Sequence, residues 1–366
     1  MPEPLQVALS VDALGPRMTG IGRYCFELAR RLPGEVGAGN LSYFRGQHWI
    51  DDVHDLLQDD WRPPRRPFWR RRYESWQLSR KRHELLVHAP NYFLPEWAER
   101  GVATIHDLSV FLYPETHPPE RIRAFEREFD RTLRQASLLI TDSKAVKTEL
   151  VAMFGLDPDR IETVSLGIPQ VRPDPDLSPL AGMGLERDRY VLCISTFEPR
   201  KRIDQLVKAY VRLPLSLRKQ FPLVLAGGSG WCNDALNDMI ERASRNGTVR
   251  RIGFVPEETM EALYVGARMF IYPSRYEGFG LPVVEAMAHG VPCLIADTPC
   301  LVEVAQGAAG VVEPDDTVAF SAAIRDALED EAWRRDASRA GLSVASSYSW
   351  DSCVARTAEL YHRVSR

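Results

Sequence analysis

Short apolar runs alternate with amphipathic helical stretches along all 366 residues, and this alternation constrains the fold more than any other feature. Such runs are typical of buried parallel strands, and the stretches between them have the spacing of crossover helices. The pattern therefore predicts an α/β fold of parallel sheets covered by helices. The predicted strands are residues 6–12, 41–44, 85–88, 102–106 and 137–141 in the first half and 190–196, 223–226, 251–255, 269–273 and 291–296 in the second; the predicted helices include 21–32, 119–136, 145–154 and a stretch from Ile203 to Val211.

A stretch rich in Pro, Asp and Gly lies between Pro169 and Gly184 and has no hydrophobic periodicity, which is typical of an interdomain linker. The chain is also too long for one ordinary hydrophobic core. Two doubly wound domains would face each other across a cleft, and ligands of such sheets bind at the carboxyl ends of the strands. We predict a first domain at residues 1–170, a linker at 171–185, a second domain at 186–345 and a final helix at 346–366.

Composition and charge exclude several classes of protein. The formal net charge of -4 gives no general attraction to nucleic acid. The N-terminus lacks the pattern of a signal peptide, and no window of about 18 apolar residues occurs. Six cysteines without a CxxC pair favour reduced, buried thiols over a zinc site. We expect a cytoplasmic protein without a metal centre.

The most informative motif is the segment EGFGLPVVE at residues 277–285, which follows a predicted strand and leads into an apolar helical stretch. Pro282 suits the first turn of a helix, and the free backbone N–H groups of such a turn bind anionic phosphates. The two glycines allow close approach of backbone to a ligand, and the two glutamates can accept hydrogen bonds from hydroxyls. The alternative is an ordinary glycine turn with two solvated glutamates.

A second motif, EPRK at residues 198–201, follows the first predicted strand of the second half. Arg200 and Lys201 can neutralise a diphosphate, the first with its planar fork and the second as a point charge. A solvated basic turn is the alternative when this motif is considered alone.

The two motifs together resemble those of family 4 retaining glycosyltransferases, which have the GT-B fold of two Rossmann-like domains facing across a cleft. The resemblance covers nearly the whole chain. Its further segments are TGIGRY at residues 19–24, HAPNY at 88–92, IHD at 105–107, LAGG at 225–228, GFV at 253–255 and YSW at 348–350. The resemblance implies that the final helix at residues 346–366 packs back toward the first domain.

This resemblance implies a role for each matching residue. Glu277 would hold hydroxyls of the donor sugar, and Glu285 would hold the ribose hydroxyls. Arg200 and Lys201 would clamp the diphosphate, and His106 would lie near the transferred sugar. Further donor contacts would come from the backbone of Gly278, Phe279, Gly280 and Leu281, from Val255 with its neighbours beside the base, and from Gly20 and Gly22.

Two of these assignments have structural alternatives. Residues 20–25 carry GxG but have Cys25 in place of a third glycine, so a dinucleotide fingerprint is incomplete. Gly20 and Gly22 either contact acceptor or donor phosphate or form a tight turn that caps a helix. His106 either contacts the sugar or is simply hydrogen-bonded to neighbouring backbone.

The form of EPRK and the segment at residues 88–95 resemble bacterial mannosyl- and rhamnosyltransferases of surface polysaccharide and lipopolysaccharide synthesis. The resemblance implies a hexosyltransferase that moves mannose or a deoxymannose such as rhamnose from a GDP donor to a lipid-linked or oligosaccharide acceptor. The resemblance also implies retention at the anomeric carbon. Because Arg200 and Lys201 can stabilise the departing diphosphate without a cation, we expect metal-independent turnover with no cofactor. The alternatives are a non-hydrolysing nucleotide-sugar epimerase and a silent nucleotide-sugar-binding scaffold.

The segment from Arg62 to Arg82 concentrates arginines among four aromatic residues. Cationic and aromatic side chains together suit the headgroup region of an anionic membrane. We therefore consider peripheral membrane contact through this segment, with a solvated basic helix as the alternative.

Overall fold

The computed structural model describes residues 5–16, 18–59, 61–62, 84–117, 119–228 and 234–364. The chain divides into two compact units. Unit 1 comprises Met1–Phe111, Pro118–Gly167 and Ser349–Arg366, and unit 2 comprises Leu112–His117 and Ile168–Tyr348. Apart from Arg62, the basic segment considered for membrane contact lies outside the described residues.

Unit 1 is built on a seven-stranded sheet in the order β3-β2-β1-β4-β5-β6-β7, in which all neighbours are parallel except the pair β2 and β3. The strands β4 and β6 are buried at every residue, as expected for a sheet covered by helices. The strands are β1 Gln6–Ser10, β2 Leu41–Arg45, β3 His48–Ile50, β4 Leu85–Ala89, β5 Arg100–Ile105, β6 Leu138–Thr141 and β7 Ile161–Thr163; the helices up to residue 154 that lie within the described residues are α1 Gly20–Val36, α2 Ser109–Leu112, α3 Pro119–Gln135 and α4 Lys144–Phe154.

Unit 2 is built on a six-stranded parallel sheet in the order β10-β9-β8-β11-β12-β13. Its strands are β8 Val191–Ile194, β9 Leu223–Ala226, β10 Val249–Gly253, β11 Met269–Tyr272, β12 Cys293–Ala296 and β13 Gly310–Val312; its helices are α5 Ser178–Gly182, α6 Ile203–Val211, α7 Leu215–Gln220, α8 Asp234–Ser244, α9 Glu257–Gly266, α10 Leu281–Ala288, α11 Pro299–Ala305, α12 Thr317–Glu329 and α13 Glu331–Ala345. The last helix, α14 Trp350–Val364, belongs to unit 1.

The predicted alternation of strands and helices is confirmed, but three short strands were missed. The strands β3, β7 and β13 have three residues each, which is too short for a hydrophobic period to stand out. The predicted strand at residues 251–255 actually begins at Val249 and ends at Gly253. Its last residue has φ +72°, a left-handed conformation that ends the extended backbone.

The predicted apolar face of α6 forms part of the core of unit 2. Ile203, Leu206, Val207 and Tyr210 are buried there, whereas Val211, at the end of the helix, is exposed. The tyrosine hydroxyl also donates a hydrogen bond to the carbonyl of Phe221, so burial of this ring leaves no unpaired hydroxyl.

The segment predicted as an interdomain linker at residues 171–185 belongs to unit 2 in the structure and contains α5. Leu180 and Leu185 are buried, and the Arg172 side chain donates a hydrogen bond of 2.6 Å from Nε to Glu261. Two buried leucines and one ion pair therefore hold this segment on unit 2, although its composition alone favours a linker.

The helix α14 packs against α1 in unit 1. Its Tyr361 hydroxyl lies 2.6 Å from Nδ1 of His88, and Nε2 of that histidine lies 2.9 Å from the hydroxyl of Thr104. Burial lowers the pKa of His88 to about 3, so the ring is neutral at physiological pH. A buried polar chain therefore fixes α14 on the strands β4 and β5.

Two sequence predictions concern cysteines and membrane spans. The five described cysteines are buried thiols outside any disulfide, as predicted; Cys232 lies outside the described residues. No helix within the described ranges is long and apolar enough to cross a membrane.

Candidate active site

The strand order of the unit 2 sheet reverses between β8 and β11: β9 and β10 follow on one side of β8, and β12 and β13 follow on the other side, next to β11. The turns after these two strands therefore diverge and leave room for a ligand at their carboxyl ends. The turn after β8 contains the 3-10 helix Pro199–Lys201, and the turn after β11 contains Glu277. Two motifs that are far apart in sequence thus meet at the switch point of the sheet.

The side chains of these two turns form a charged cluster. The Lys201 ammonium is ion-paired with Glu277 and lies 3.2 Å from the hydroxyl of Tyr272. The Arg200 guanidinium lies 3.5 Å from Glu277 through Nη1 and 3.1 Å from Glu198 through Nε. Two cations and two carboxylates therefore balance one another, and Glu198 is a member of the cluster that the sequence motifs did not single out.

Backbone contacts hold the two turns together. The Arg200 guanidinium donates a hydrogen bond of 2.9 Å to the carbonyl of Tyr276, and the N–H of Arg275 donates one of 2.9 Å to the carbonyl of Arg200. The fully buried Ser274 hydroxyl donates to the same tyrosine carbonyl at 3.0 Å. Both the side chain and the main chain of Arg200 are therefore fixed to the turn after β11.

Burial and charge oppose each other at Glu277. Burial disfavours the carboxylate, but the charges of Lys201 and Arg200 outweigh it and lower the pKa of Glu277 to about 2. Burial and the neighbouring Arg200 lower the pKa of Lys201. The carboxylate of the pair is therefore ionised throughout the physiological range.

The depressed pKa of Glu277 predicts a pH dependence of stability. A carboxylate whose pKa is lower in the folded chain contributes stability above its ordinary pKa of about 4.3 and loses that contribution as pH falls toward about 2. We expect the urea midpoint of the wild type to fall more steeply between about pH 5 and pH 3 than that of Glu277→Gln. Parallel pH profiles for the two proteins would contradict the assignment.

The turn at residues 278–280 precedes α10, which begins at Leu281. Gly280 is its N-cap with φ +103°, and a Cβ there would lie 2.5 Å from the Cδ2 atom of Leu301. Glycine is therefore needed for both conformation and packing. The Phe279 side chain is buried with its ring 5.6 Å from that of Tyr348, so only its backbone is available to a donor.

The second glutamate of the motif, Glu285, lies on α10 and accepts a hydrogen bond of 2.8 Å from the hydroxyl of Tyr264. The tyrosine is buried on α9, and its ring stacks on His289 with centroids 5.6 Å apart. This carboxylate is thus oriented by a neighbouring helix, a contact that the sequence motifs did not predict.

The loop after β10 places two apolar side chains differently. Val255, predicted to lie beside the base, is buried with 6% exposure, whereas the preceding Phe254 is 67% exposed. Contact of the valine with a base would therefore have to use its backbone. Phe254 is one of the neighbours expected near the base, and its side chain is the exposed one because it lies in a loop where periodicity does not fix which residue faces solvent.

In unit 1, His106 follows β5 and lies beside Asp142, which follows the neighbouring strand β6. The pairing of Ile105 with Thr141 brings the next residue of each strand together, with His106 Nδ1 2.7 Å from Asp142 Oδ2. The other ring nitrogen lies 2.7 Å from the carbonyl of Pro90. The histidine therefore has the backbone contact named as its alternative and also a carboxylate partner that was not predicted.

Protonation is favoured at both members of this buried pair. Each ring nitrogen of His106 lies beside an oxygen, so the two hydrogen bonds need two protons: both on the ring, or one on the ring and one on the Asp142 carboxyl group. Burial opposes protonation of His106, but Asp142 outweighs it and raises the pKa of the histidine, while burial raises the pKa of Asp142. Both directions favour the protonated form of each group.

Gly20 and Gly22 open α1, next to the switch point of the unit 1 sheet between β1 and β4. The N-cap Thr19 accepts a hydrogen bond of 3.1 Å from the N–H of Gly22. A Cβ at Gly22 would lie 3.1 Å from the carbonyl of Ala13, so packing alone favours glycine there. The helix-capping alternative is therefore present, and contact with phosphate remains a prediction.

Two family models match this chain. The family model "Glycosyltransferase Family 4" matches residues 18–172, and the family model "Glycosyl transferases group 1" matches residues 184–343. The chain is 36% identical to O-antigen chain mannosyltransferase B of Escherichia coli over 98% of this chain and 99% of the relative. This chain belongs to the family 4 glycosyltransferases. The glycosyltransferase is also 28% identical to the serotype-specific mannosyltransferase WbdA of Escherichia coli, over 69% of this chain and 32% of that protein.

Solved structures give the fold of this glycosyltransferase. WaaG, a glycosyltransferase involved in lipopolysaccharide biosynthesis, matches with a TM-score of 0.70 and 15% identity over 97% of this chain and 99% of that chain. HepE of Anabaena in complex with UDP-glucose matches with a TM-score of 0.73 and 18% identity over 98% and 99%. The predicted GT-B fold is confirmed.

Proposed function

We propose that this glycosyltransferase transfers mannose from GDP-mannose, with retention at the anomeric carbon, to a lipid-linked or oligosaccharide acceptor in the synthesis of a surface polysaccharide such as an O-antigen. The observation that carries the proposal is the cluster of Arg200, Lys201 and Glu277 at the switch point of unit 2, in a chain 36% identical over 98% of its length to an O-antigen chain mannosyltransferase. A HepE structure with UDP-glucose supports a nucleotide-sugar donor.

The chemistry that we assign to the cluster is stabilisation of the leaving group. As the bond from the sugar to the diphosphate breaks, negative charge grows on the diphosphate oxygens. Arg200 and Lys201, together with the backbone N–H groups at the start of α10, supply fixed positive potential to that charge. Glu277 holds these cations in place and is available to sugar hydroxyls through the oxygens of its carboxylate.

We further propose that turnover is independent of a metal ion, because two fixed cations can stabilise the diphosphate without one. We expect turnover to persist after dialysis against EDTA. Full loss of turnover, restored by a divalent cation, would contradict this part of the proposal.

The donor is tested by thermal shift of the wild type and Glu285→Ala with GDP, UDP, dTDP and ADP. We expect GDP to raise the melting temperature of the wild type and to have little effect on the variant, because Glu285 is assigned to the ribose hydroxyls. Arg339→Ala, an exposed substitution on α13, is the matched control and should respond like the wild type.

The outcomes separate the assigned donor from the assigned function. Stabilisation by a different nucleotide would replace GDP as the donor and leave the transfer reaction in place. Stabilisation by a nucleotide without transfer to any acceptor would favour the silent scaffold, and no stabilisation by any nucleotide would contradict a nucleotide-sugar donor. Conversion of the nucleotide sugar without an acceptor would favour the epimerase, and a product of inverted anomeric configuration by NMR would exclude retention.

A further inference from the structure

The short segment Leu112–His117 belongs to unit 2, although the residues before it in sequence belong to unit 1. Its 3-10 helix Pro114–Thr116 is fixed at the N-cap, where the carbonyl of Tyr113 accepts hydrogen bonds from the N–H and from the hydroxyl of Thr116, at 2.9 and 2.7 Å. These internal contacts fix the main chain at Tyr113.

The half-buried ring of Tyr113 packs on the turn after β11. Its centroid lies 5.2 Å from that of Tyr276, with 45° between the ring planes. The guanidinium of the exposed Arg275 lies over the Tyr113 ring with its Cζ atom 5.4 Å from the centroid. The tyrosine therefore contacts two consecutive residues, one through an aromatic pair and one through a cation–π contact.

The same two residues hold Arg200. The carbonyl of Tyr276 accepts a hydrogen bond from the Arg200 guanidinium, and the N–H of Arg275 donates one to the Arg200 carbonyl, both at 2.9 Å. Tyr113 thus packs against both residues that hydrogen-bond to Arg200, the arginine that we assign to the donor diphosphate. One of these residues bonds to the side chain of Arg200 and the other to its main chain.

We propose that Tyr113 is a positioning residue for the diphosphate. It holds the backbone of residues 275–276 so that the Arg200 guanidinium faces the phosphate oxygens, and it does so from a segment encoded in the first half of the sequence. Electrostatic stabilisation depends on donors that are fixed before the charge develops, so a small displacement of this arginine reduces the rate. The inference rests on the proposed function, because it assumes that Arg200 binds diphosphate.

The test compares Tyr113→Ala with Tyr113→Phe, which keeps the ring and removes only the hydroxyl. Glu115→Ala, an exposed substitution in the same segment, is the matched control. We expect Tyr113→Ala to lower kcat about tenfold, whereas Tyr113→Phe and Glu115→Ala stay close to the wild type. All four proteins are assayed well below their melting temperatures, so a loss of folded protein does not contribute.

Nucleotide affinity gives a second readout that a purely structural role would not move. Affinities for GDP and for GMP, which lacks the β-phosphate, are measured by calorimetry. We expect Tyr113→Ala to weaken GDP binding by a larger factor than GMP binding, because Arg200 acts on the diphosphate. Equal factors for the two nucleotides, or wild-type kcat in Tyr113→Ala, would overturn the inference. If the wild type neither binds a nucleotide diphosphate nor transfers a sugar, the proposed function itself fails, which is a distinguishable result.

Discussion

Replacing Lys201 with methionine is expected to lower kcat about 10²–10³-fold, the effect of removing one preorganised group that stabilises transition-state charge. The ammonium lies at the switch point of the unit 2 sheet beside Glu277, where we assign the leaving diphosphate. Because this charge develops as the bond breaks, kcat should fall more than the affinity for the intact donor. Steady-state kinetics with GDP-mannose measures the two effects separately.

Loss of stability could produce the same fall in activity, so the experiment needs two further variants. Lys201→Met leaves the buried Glu277 without its closest cation, which is expected to destabilise the fold. The double variant Lys201→Met/Glu277→Gln removes both partners and should recover much of the stability without recovering kcat. Lys208→Met, a half-exposed lysine on α6, is the control and should be neutral in both assays. A well-folded double variant with wild-type kcat would refute the assignment.

Gly167→Ala is expected to destabilise unit 1 by at least about 3 kcal/mol, because the added methyl group has no space. A Cβ at this position would lie 2.1 Å from the backbone nitrogen of Trp350 and 2.5 Å from the carbonyl carbon of Ser349. Both obstacles are main-chain atoms at the start of α14, so no flexible side chain can move aside. Tryptophan fluorescence during urea unfolding measures the effect.

Gly34→Ala is the matched control for this substitution. Gly34 is exposed within α1, and a Cβ at this position would have no neighbouring atom within 4 Å outside its own helical turn. The same chemical change should therefore stabilise the chain by about 0.5–1 kcal/mol, because alanine loses less backbone entropy on folding. Equal unfolding midpoints for the two variants would show that the approach of Gly167 to α14 contributes nothing.

Much of the candidate site could be predicted because its residues follow strands. Arg200, Lys201 and Glu277 come directly after apolar runs, and parallel strands bring their carboxyl ends to one edge of a sheet. The partners that orient these side chains could not be predicted in the same way. Tyr264, which orients the Glu285 carboxylate, lies on a helix whose sequence shows only an amphipathic pattern.

The pairing register of β5 and β6 decides a contact that the sequence could not predict, the one between His106 and Asp142. His106 and Asp142 are 36 residues apart, and no motif links them. They meet because β5 and β6 are neighbours paired at Ile105 and Thr141, which places the next residues side by side. Periodicity shows that a strand exists, but it does not show which strand lies next to it or in which register.

The α/β class, the family and the strand ends that carry the charged residues follow from the sequence alone, because hydrophobic period and strand-end motifs are local properties of the chain. The assignment of residues 171–185 and of Leu112–His117 to unit 2 depends on the packed fold. So does the exposure of Phe254 beside the buried Val255. These outcomes depend on contacts between residues distant in sequence, and the free energy of such contacts is set by the packed fold and not by the local pattern.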